Sequence, residues 1–426
     1  MSLMDGWILL AVQAAAVVLL AAAVLRRSRA WNRRWIPVLI ALGVSGALAV
    51  RWCLDVLGLA SEPAPVWLWV WTGACAAAVG MTLAGWRGAG WATRNADVFA
   101  ASMCLLSVGL VVNSWIGYFP TVQTAFGQLT SRPLPHQVDP AAIAGMQHRP
   151  TAPSHGAVVP VSTGAHASGF EHREEYVYLP PAWFSRTPAV RLPALMMIGG
   201  QFNTPADWVR AGRAVHTLDG FAASHGGYAP VTVFADPNGT FANDTECVNG
   251  ARGNAADHLV EDVVPYVARR FDVPAAHWGV VGFSSGGTCA VDLTVMHPGV
   301  FGAFVDIAGD LGPNAGTTDQ TIARLYGGDA EAWARFDPST VIRGHGHYIG
   351  VSGRFVVPAS TDPSRDPYLQ AATTLCTLGT AHGIGCSIDT RDGRHTWPFA
   401  ADAFAANLPW LADQLRNGFT ATSTDR

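Results

Sequence analysis

The chain contains no lysine; all 27 of its basic side chains are arginine. Charge of either sign is scarce, 14% of residues against about 25% in ordinary soluble domains. With 50% of residues hydrophobic, this scarcity excludes a disordered chain and points toward membrane. Metal-site spacing is absent too. There is no C-x-x-C and no H-E-x-x-H, so neither a metal nor another cofactor is expected. No internal repeat divides the chain, which sets aside solenoids and propellers. Net charge is −4, and from residue 98 onward 19 Arg face 27 Asp and Glu. An acidic outer part argues against nucleic acid as a partner.

What is there is divided unevenly. Four apolar runs, Trp7 to Leu25, Ile36 to about Ala60, Ala64 to Trp86 and Val98 to Tyr118, each approach the roughly 20 residues that span a bilayer. No later run is long enough. Arg51 and Asp55, one helical turn apart in the second run, read as a pair at the helix end, where Arg can snorkel to the headgroups. The first connection holds Arg26, Arg27, Arg29, Arg33 and Arg34, the third holds Arg87 and Arg94, and the second, around Glu62, holds none. Connections one and three are therefore expected on the cytoplasmic side, and everything past residue 120 outside. The first run has its Arg cluster after it rather than before it, unlike a cleaved signal peptide. The expected organisation is a four-helix transmembrane domain (1–120), a Pro-rich linker (121–155), an α/β domain (156–416) and a short tail (417–426).

In the outer part, short apolar runs alternate with helical patterns, which predicts a mostly parallel sheet flanked by helices. Strands are expected at Ala157–Ser162, Glu175–Leu179, Ala194–Ile198, Val231–Ala235, Trp278–Phe283, Ala303–Ala308, Tyr348–Val351 and Cys386–Thr390. Helices are expected at Ala256–Arg270, Gly287–Met296, Pro367–Ala381 and Ala401–Leu415.

The strongest chemical signal is Gly282-Phe283-Ser284-Ser285-Gly286-Gly287, between the strand Trp278–Val281 and a helix-compatible run. This is a G-x-S-x-G turn in a strand–turn–helix setting, where the serine is held in a strained conformation and its flanking positions must be small. Centring on Ser285 would put Phe283 at a crowded position, so Ser284 is the candidate nucleophile. A serine needs a base to take its proton, and the order in such folds is Ser, acid, His. His395 lies in the loop after the last expected strand and is the candidate base. Asp362 and Asp366 both precede the helix at Pro367. Asp366 suits the helix cap, which leaves Asp362 as the candidate acid. The oxyanion hole requires two N–H groups. The backbone of Ser285 is one, and Gln201, after Gly199-Gly200, is the candidate for the other.

These residues resemble the esterase branch of the α/β-hydrolase superfamily, with esterase D and the secreted mycolyltransferases. The likeness covers about residues 155 to 416 and rests on Gly282 to Gly287, Gly199-Gly200-Gln201 and Gly393-Arg394-His395-Thr396-Trp397. It implies an acid some 30-odd residues before the histidine, which again selects Asp362. Mycolyltransferases commonly carry Glu there and are released proteins, so their substrate does not carry over. Asn243 to Asn249 resembles a loop of membrane-anchored actinobacterial relatives. Arg-only, Ala-rich coding agrees with a GC-rich bacterial source.

Cys247, Cys289, Cys376 and Cys386 lie in the outer part, where an oxidising compartment permits disulfides. A Cys247–Cys289 bridge is expected, because the strand Val231–Ala235 should end beside the elbow. Cys376 and Cys386 can pair or stay free. The expected function is a serine esterase or acyltransferase at the outer face of the cytoplasmic membrane. Its partners would be membrane lipids and an ester or acyl-lipid substrate. A catalytically silent envelope scaffold on the same fold is the alternative.

Overall fold

The computed structural model describes all residues except Met1, Asp5, 58–63, Ser131, 148–150, 186–190 and 425–426. Two compact units divide the chain, Met1–Thr130 and Ser131–Arg426.

Among the described residues, the first unit contains four long helices: α1 (Trp7–Leu25), α2 (Arg29–Leu57), α3 (Val66–Gly85) and α4 (Trp91–Ile116). All four are long and apolar enough to cross a membrane. The second begins earlier than its apolar run. The Ser28 hydroxyl accepts the Trp31 N–H at 3.2 Å and its carbonyl accepts the Asn32 N–H at 2.9 Å, which starts the helix ahead of Pro37. The second and third helices meet where a Cβ on Gly43 would lie 2.8 Å from the Gly73 carbonyl oxygen, an approach that small residues permit. Arg27, in the first connection, pairs with buried Asp97 near the start of the fourth helix at 2.5 Å. The two Arg-bearing connections thus lie at the same end of this unit. The expected Arg51–Asp55 pair and the connection around Glu62 fall outside the described residues and side chains.

The second unit is built on an eight-stranded sheet. Its strands are β1 (Ala157–Val161), β2 (Glu175–Leu179), β3 (Ala194–Ile198), β4 (Val231–Ala235), β5 (Trp278–Phe283), β6 (Phe301–Ile307), β7 (Ser352–Pro358) and β8 (Gly385–Arg391). Their spatial order is β1-β2-β4-β3-β5-β6-β7-β8. The pairs β1–β2 and β2–β4 are antiparallel, and from β4 onward neighbours run parallel. Central strands are continuous apolar runs because helices cover both faces: Ala194–Ile198 and Trp278–Phe283 are buried at every position. The edge strand β8 instead alternates toward solvent. Helices α5 (Ser285–Met296), α6 (Pro367–Ala381) and α7 (Trp397–Thr424) flank the sheet.

Two expectations give way here. The seventh strand is Ser352–Pro358, not Tyr348–Val351. Gly346 and Gly350 have φ of 90° and 71°, so the chain turns there and buried Tyr348 packs from a loop. The expected linker is also shorter. Residues after Ser131 join the second unit, where Gln137 bridges to Val158 and the Val138 N–H donates to the Val158 carbonyl at 2.9 Å. Leu134 and Ile143 are buried. Apolar residues between the prolines find cover along the edge strand, a place where proline is tolerated.

Candidate active site

Strand β5 delivers Ser284 at the sheet's C-terminal end, a position from which α/β folds present ligand-binding groups. Ser284 has φ 61° and ψ −129°, a strained conformation for a residue with a side chain. Its N–H donates to the Ile307 carbonyl at 2.9 Å, which ties the turn to the neighbouring strand. A Cβ on Gly282 would lie 1.7 Å from the Gly286 carbonyl oxygen, and one on Gly286 would lie 2.3 Å from the Ile198 carbonyl oxygen. Only glycine fits either place. Helix α5 starts at Ser285, so the Ser285 N–H is a first-turn donor without an intrahelical acceptor, at the positive end of the helix dipole.

The loop after β3 forms the opposite wall. A Cβ on Gly200 would lie 2.8 Å from the Ser284 Cβ, so the two chains nearly touch. The Gly200 N–H donates to Asn203 Oδ1 at 2.9 Å. Its carbonyl accepts from the Asn203 N–H and from Asn238 Nδ2, both at 3.2 Å. The N–H and C=O of a trans peptide point in opposite directions. Anchoring the Gly200 carbonyl therefore sets the direction of the Gln201 N–H.

Charged groups hold this loop in turn. Arg173 Nη2 donates to the Asn203 carbonyl at 2.8 Å and forms an ion pair with buried Asp236 at 2.5 Å. Burial would raise the Asp236 carboxyl, but the Arg173 bonds and charge outweigh it and hold the group below its ordinary value. Glu175 accepts from the Asp236 N–H at 2.9 Å and from Thr163 Oγ1 at 2.6 Å. His258 lies 3.3 Å from Glu175, and although burial lowers its basicity, Glu175 and Asp262 raise it above the ordinary histidine value. His172, Glu175 and His258 are close enough to hold a metal ion. Glu175 already accepts two hydrogen bonds here, and the cluster reads as structural support.

His395 follows β8 in a loop turned at Gly393, whose φ is 148°. Its ring lies 4.7 Å from that of Phe283, the residue before Ser284, and 4.9 Å from that of Tyr368. Buried Trp397 packs on Phe283 at 5.3 Å and on Trp208 at 5.2 Å, fixing the loop from below. Enclosure by protein lowers His395 to about 4, opposed by the charge of Asp310.

The structure does not join Asp362 to His395. The Asp362 side chain is 55% exposed, accepts from Ser364 Oγ at 2.6 Å and faces Arg365 at 3.6 Å. It immediately precedes a one-turn helix (Pro363–Arg365), and its carboxylate is held by these local partners. Asp366 caps α6 as expected, accepting the Leu369 N–H at 2.9 Å.

Cys247 and Cys289 are bonded, which pins the loop before residue 255 to the elbow helix. Glu246 and Cys247 take φ of 51° and 56° to make this turn. Burial raises the carboxyls of Asp244 and Glu246 in this loop. Cys376 and Cys386 are also bonded. Asn203, Asn238, Arg173 and Asp310 do not stand out in the sequence. None lies in a compact motif, and the run Gly199-Gly200-Gln201-Phe202-Asn203 is the local hint of the first.

Residues 171–409 match the family described as "Putative esterase", and the chain belongs to it. It is a hydrolase-type chain of the α/β-hydrolase esterase branch. An uncharacterized protein of Corynebacterium glutamicum is 30% identical over 326 residues, covering 73% of this chain and 74% of that one. The S-formylglutathione hydrolase of Agrobacterium tumefaciens superposes with a TM-score of 0.50 at 15% identity, covering 62% of this chain and 98% of that one. MPT51 of Mycobacterium tuberculosis aligns at a TM-score of 0.42 and 18% identity, over 57% of this chain and 94% of that one.

Proposed function

We propose that this protein is a membrane-anchored serine esterase or acyltransferase whose catalytic unit works outside the cytoplasmic membrane on a cell-envelope ester. The observation that carries the chemistry is Ser284 in its strained turn, with Gly200 against it and His395 beside Phe283. Ser284 Oγ attacks the ester carbonyl carbon while His395 takes the hydroxyl proton. The carbonyl π pair moves onto oxygen, which the Ser285 and Gln201 N–H groups receive. Collapse expels the alcohol, protonated by His395, and leaves an acyl-Ser284. Water then gives hydrolysis, and a second alcohol gives transfer, by the same steps in reverse.

The surroundings favour an amphiphilic ester. Phe202, directly after Gln201, pairs with exposed Phe241 at 5.2 Å between ring centres and offers an apolar surface to an acyl chain. A cavity of about 430 Å³ beside Asp310 is lined by Asn314, Thr318, Gln370 and Trp333 among others, groups suited to hydroxyls. The outer location rests on the arginine count of the connections and on four helices able to span. A membrane-impermeant fluorophosphonate applied to intact cells tests both parts. Labelling of the full chain is expected. A chain labelled only after the membrane is opened would contradict the orientation, and one never labelled would contradict the nucleophile.

A further inference from the structure

Resting on the reading of Ser284 and His395 as nucleophile and base, we propose that Asp310, after β6, is the carboxylate that positions and supports His395, in place of Asp362. Strands β5 and β6 are parallel neighbours with Phe283 opposite Ile307. Ser284 follows the first by one residue, and Asp310 follows the second by three, at the same end of the sheet. Backbone bonds fix Asp310 there. Its N–H donates at 2.9 Å to Thr288 Oγ1, one turn into the elbow helix, and the Thr288 N–H returns to the Ser284 carbonyl at 3.2 Å. Asn314 Nδ2 donates to Asp310 Oδ2 at 2.9 Å and orients the carboxylate.

The same neighbourhood contains His395. Asp310 and Pro367 line one cavity, and Tyr368, the residue after Pro367, packs against the His395 ring. Among the described residues, ionisable groups facing the imidazole include Asp310, whose charge acts on it, and Tyr368 across its face, and Arg394 precedes it in the chain. Asp310 is the carboxylate whose charge raises the basicity of His395 against the effect of enclosure. Asp362, four residues past the end of β7, spends its carboxylate on Ser364 and Arg365. In the cycle Asp310 takes no proton. It holds the ring and stabilises the imidazolium formed when Ser284 loses its proton.

The test uses the full chain in detergent, with an activated p-nitrophenyl ester and melting curves to establish folding. Asp310→Asn should lower kcat by roughly 10³-fold or more, the scale seen when a triad carboxylate is neutralised. It should also move the acid limb of the kcat/KM profile to lower pH, because removing the anion lowers the His395 pKa. A structural role would not move that limb. Asp310→Glu should recover part of the rate, and Asp362→Asn should behave as the parent chain. A folded Asp310→Asn variant with parental kcat and acid limb would overturn the proposal, as would the large loss appearing in Asp362→Asn. Full activity in Ser284→Ala would instead overturn the underlying reading, and this inference with it.

Discussion

Gly282 and Gly286 stand so close that a single Cβ on the first would sit 1.7 Å from the carbonyl oxygen of the second. That contact lets strand β5 run into helix α5 with one residue, Ser284, forced to positive φ between them. Gly282→Ala should therefore cost about 3 kcal/mol or more, since backbone and not a flexible side chain must move. Gly299→Ala, where an added methyl would meet nothing within 4 Å, should stay within about 0.5 kcal/mol. Denaturant melts of the two variants check the pair. Equal small losses would show that the elbow yields more readily than its geometry implies.

Asn238 is buried and donates to the Gly200 carbonyl. Asn238→Ala should loosen the Gln201 peptide and lower kcat by roughly tenfold to a hundredfold, less than loss of a direct oxyanion donor. KM should move little, because the donor acts on the charge that develops in the transition state. Steady-state kinetics with the activated ester measure the split. A raised KM with unchanged kcat would place Asn238 in ground-state binding.

The parts legible in the sequence are those written in short range. Gly282 to Gly287 and the apolar strand before it specify the elbow locally, and the central strands announce themselves as unbroken apolar runs. His395 follows from fold order. Local pattern places the seventh strand too early, because Tyr348-Ile349 is apolar while the true strand begins with polar Ser352 and contains Arg354. The carboxylate proposed for His395 is not legible. Spacing along the chain points to Asp362, but the direction of a side chain depends on Ser364 and Arg365 beside it. Asp310 reaches the site through strand adjacency, which no local pattern encodes.

Asp306 lies buried under the elbow, accepting the Gly309 N–H at 2.7 Å. Burial raises its carboxyl to about 8. The folded state therefore retains a proton that the unfolded chain releases near pH 4. The stabilising contribution is complete below that pH and is lost as pH rises to 8, with a slope approaching about 1.4 kcal/mol per pH unit. Asp306→Asn should flatten the decline in stability between pH 5 and roughly 8. Thermal melts across that range give the comparison. Parallel curves for parent and variant would mean that Asp306 ionises without cost.

The Cys247–Cys289 bond closes a separation of 42 residues and ties the covering loop to the helix behind Ser284. Replacing both by serine should lower stability by roughly 3–4 kcal/mol in the chain-entropy account. Activity should fall as well, through disorder of the loop carrying Phe241. Unfolding curves and kinetics on the double variant test this. An unchanged midpoint would assign the bond no structural role.

The central claim is that Ser284 forms the acyl-enzyme. Mass-spectrometric mapping of the fluorophosphonate adduct on the purified full-length protein addresses it directly. The adduct is expected on Ser284, absent from Ser284→Ala and retained at least in part by Ser285→Ala. A stoichiometric adduct on Ser285 or another residue, or undiminished labelling of folded Ser284→Ala, would contradict the account.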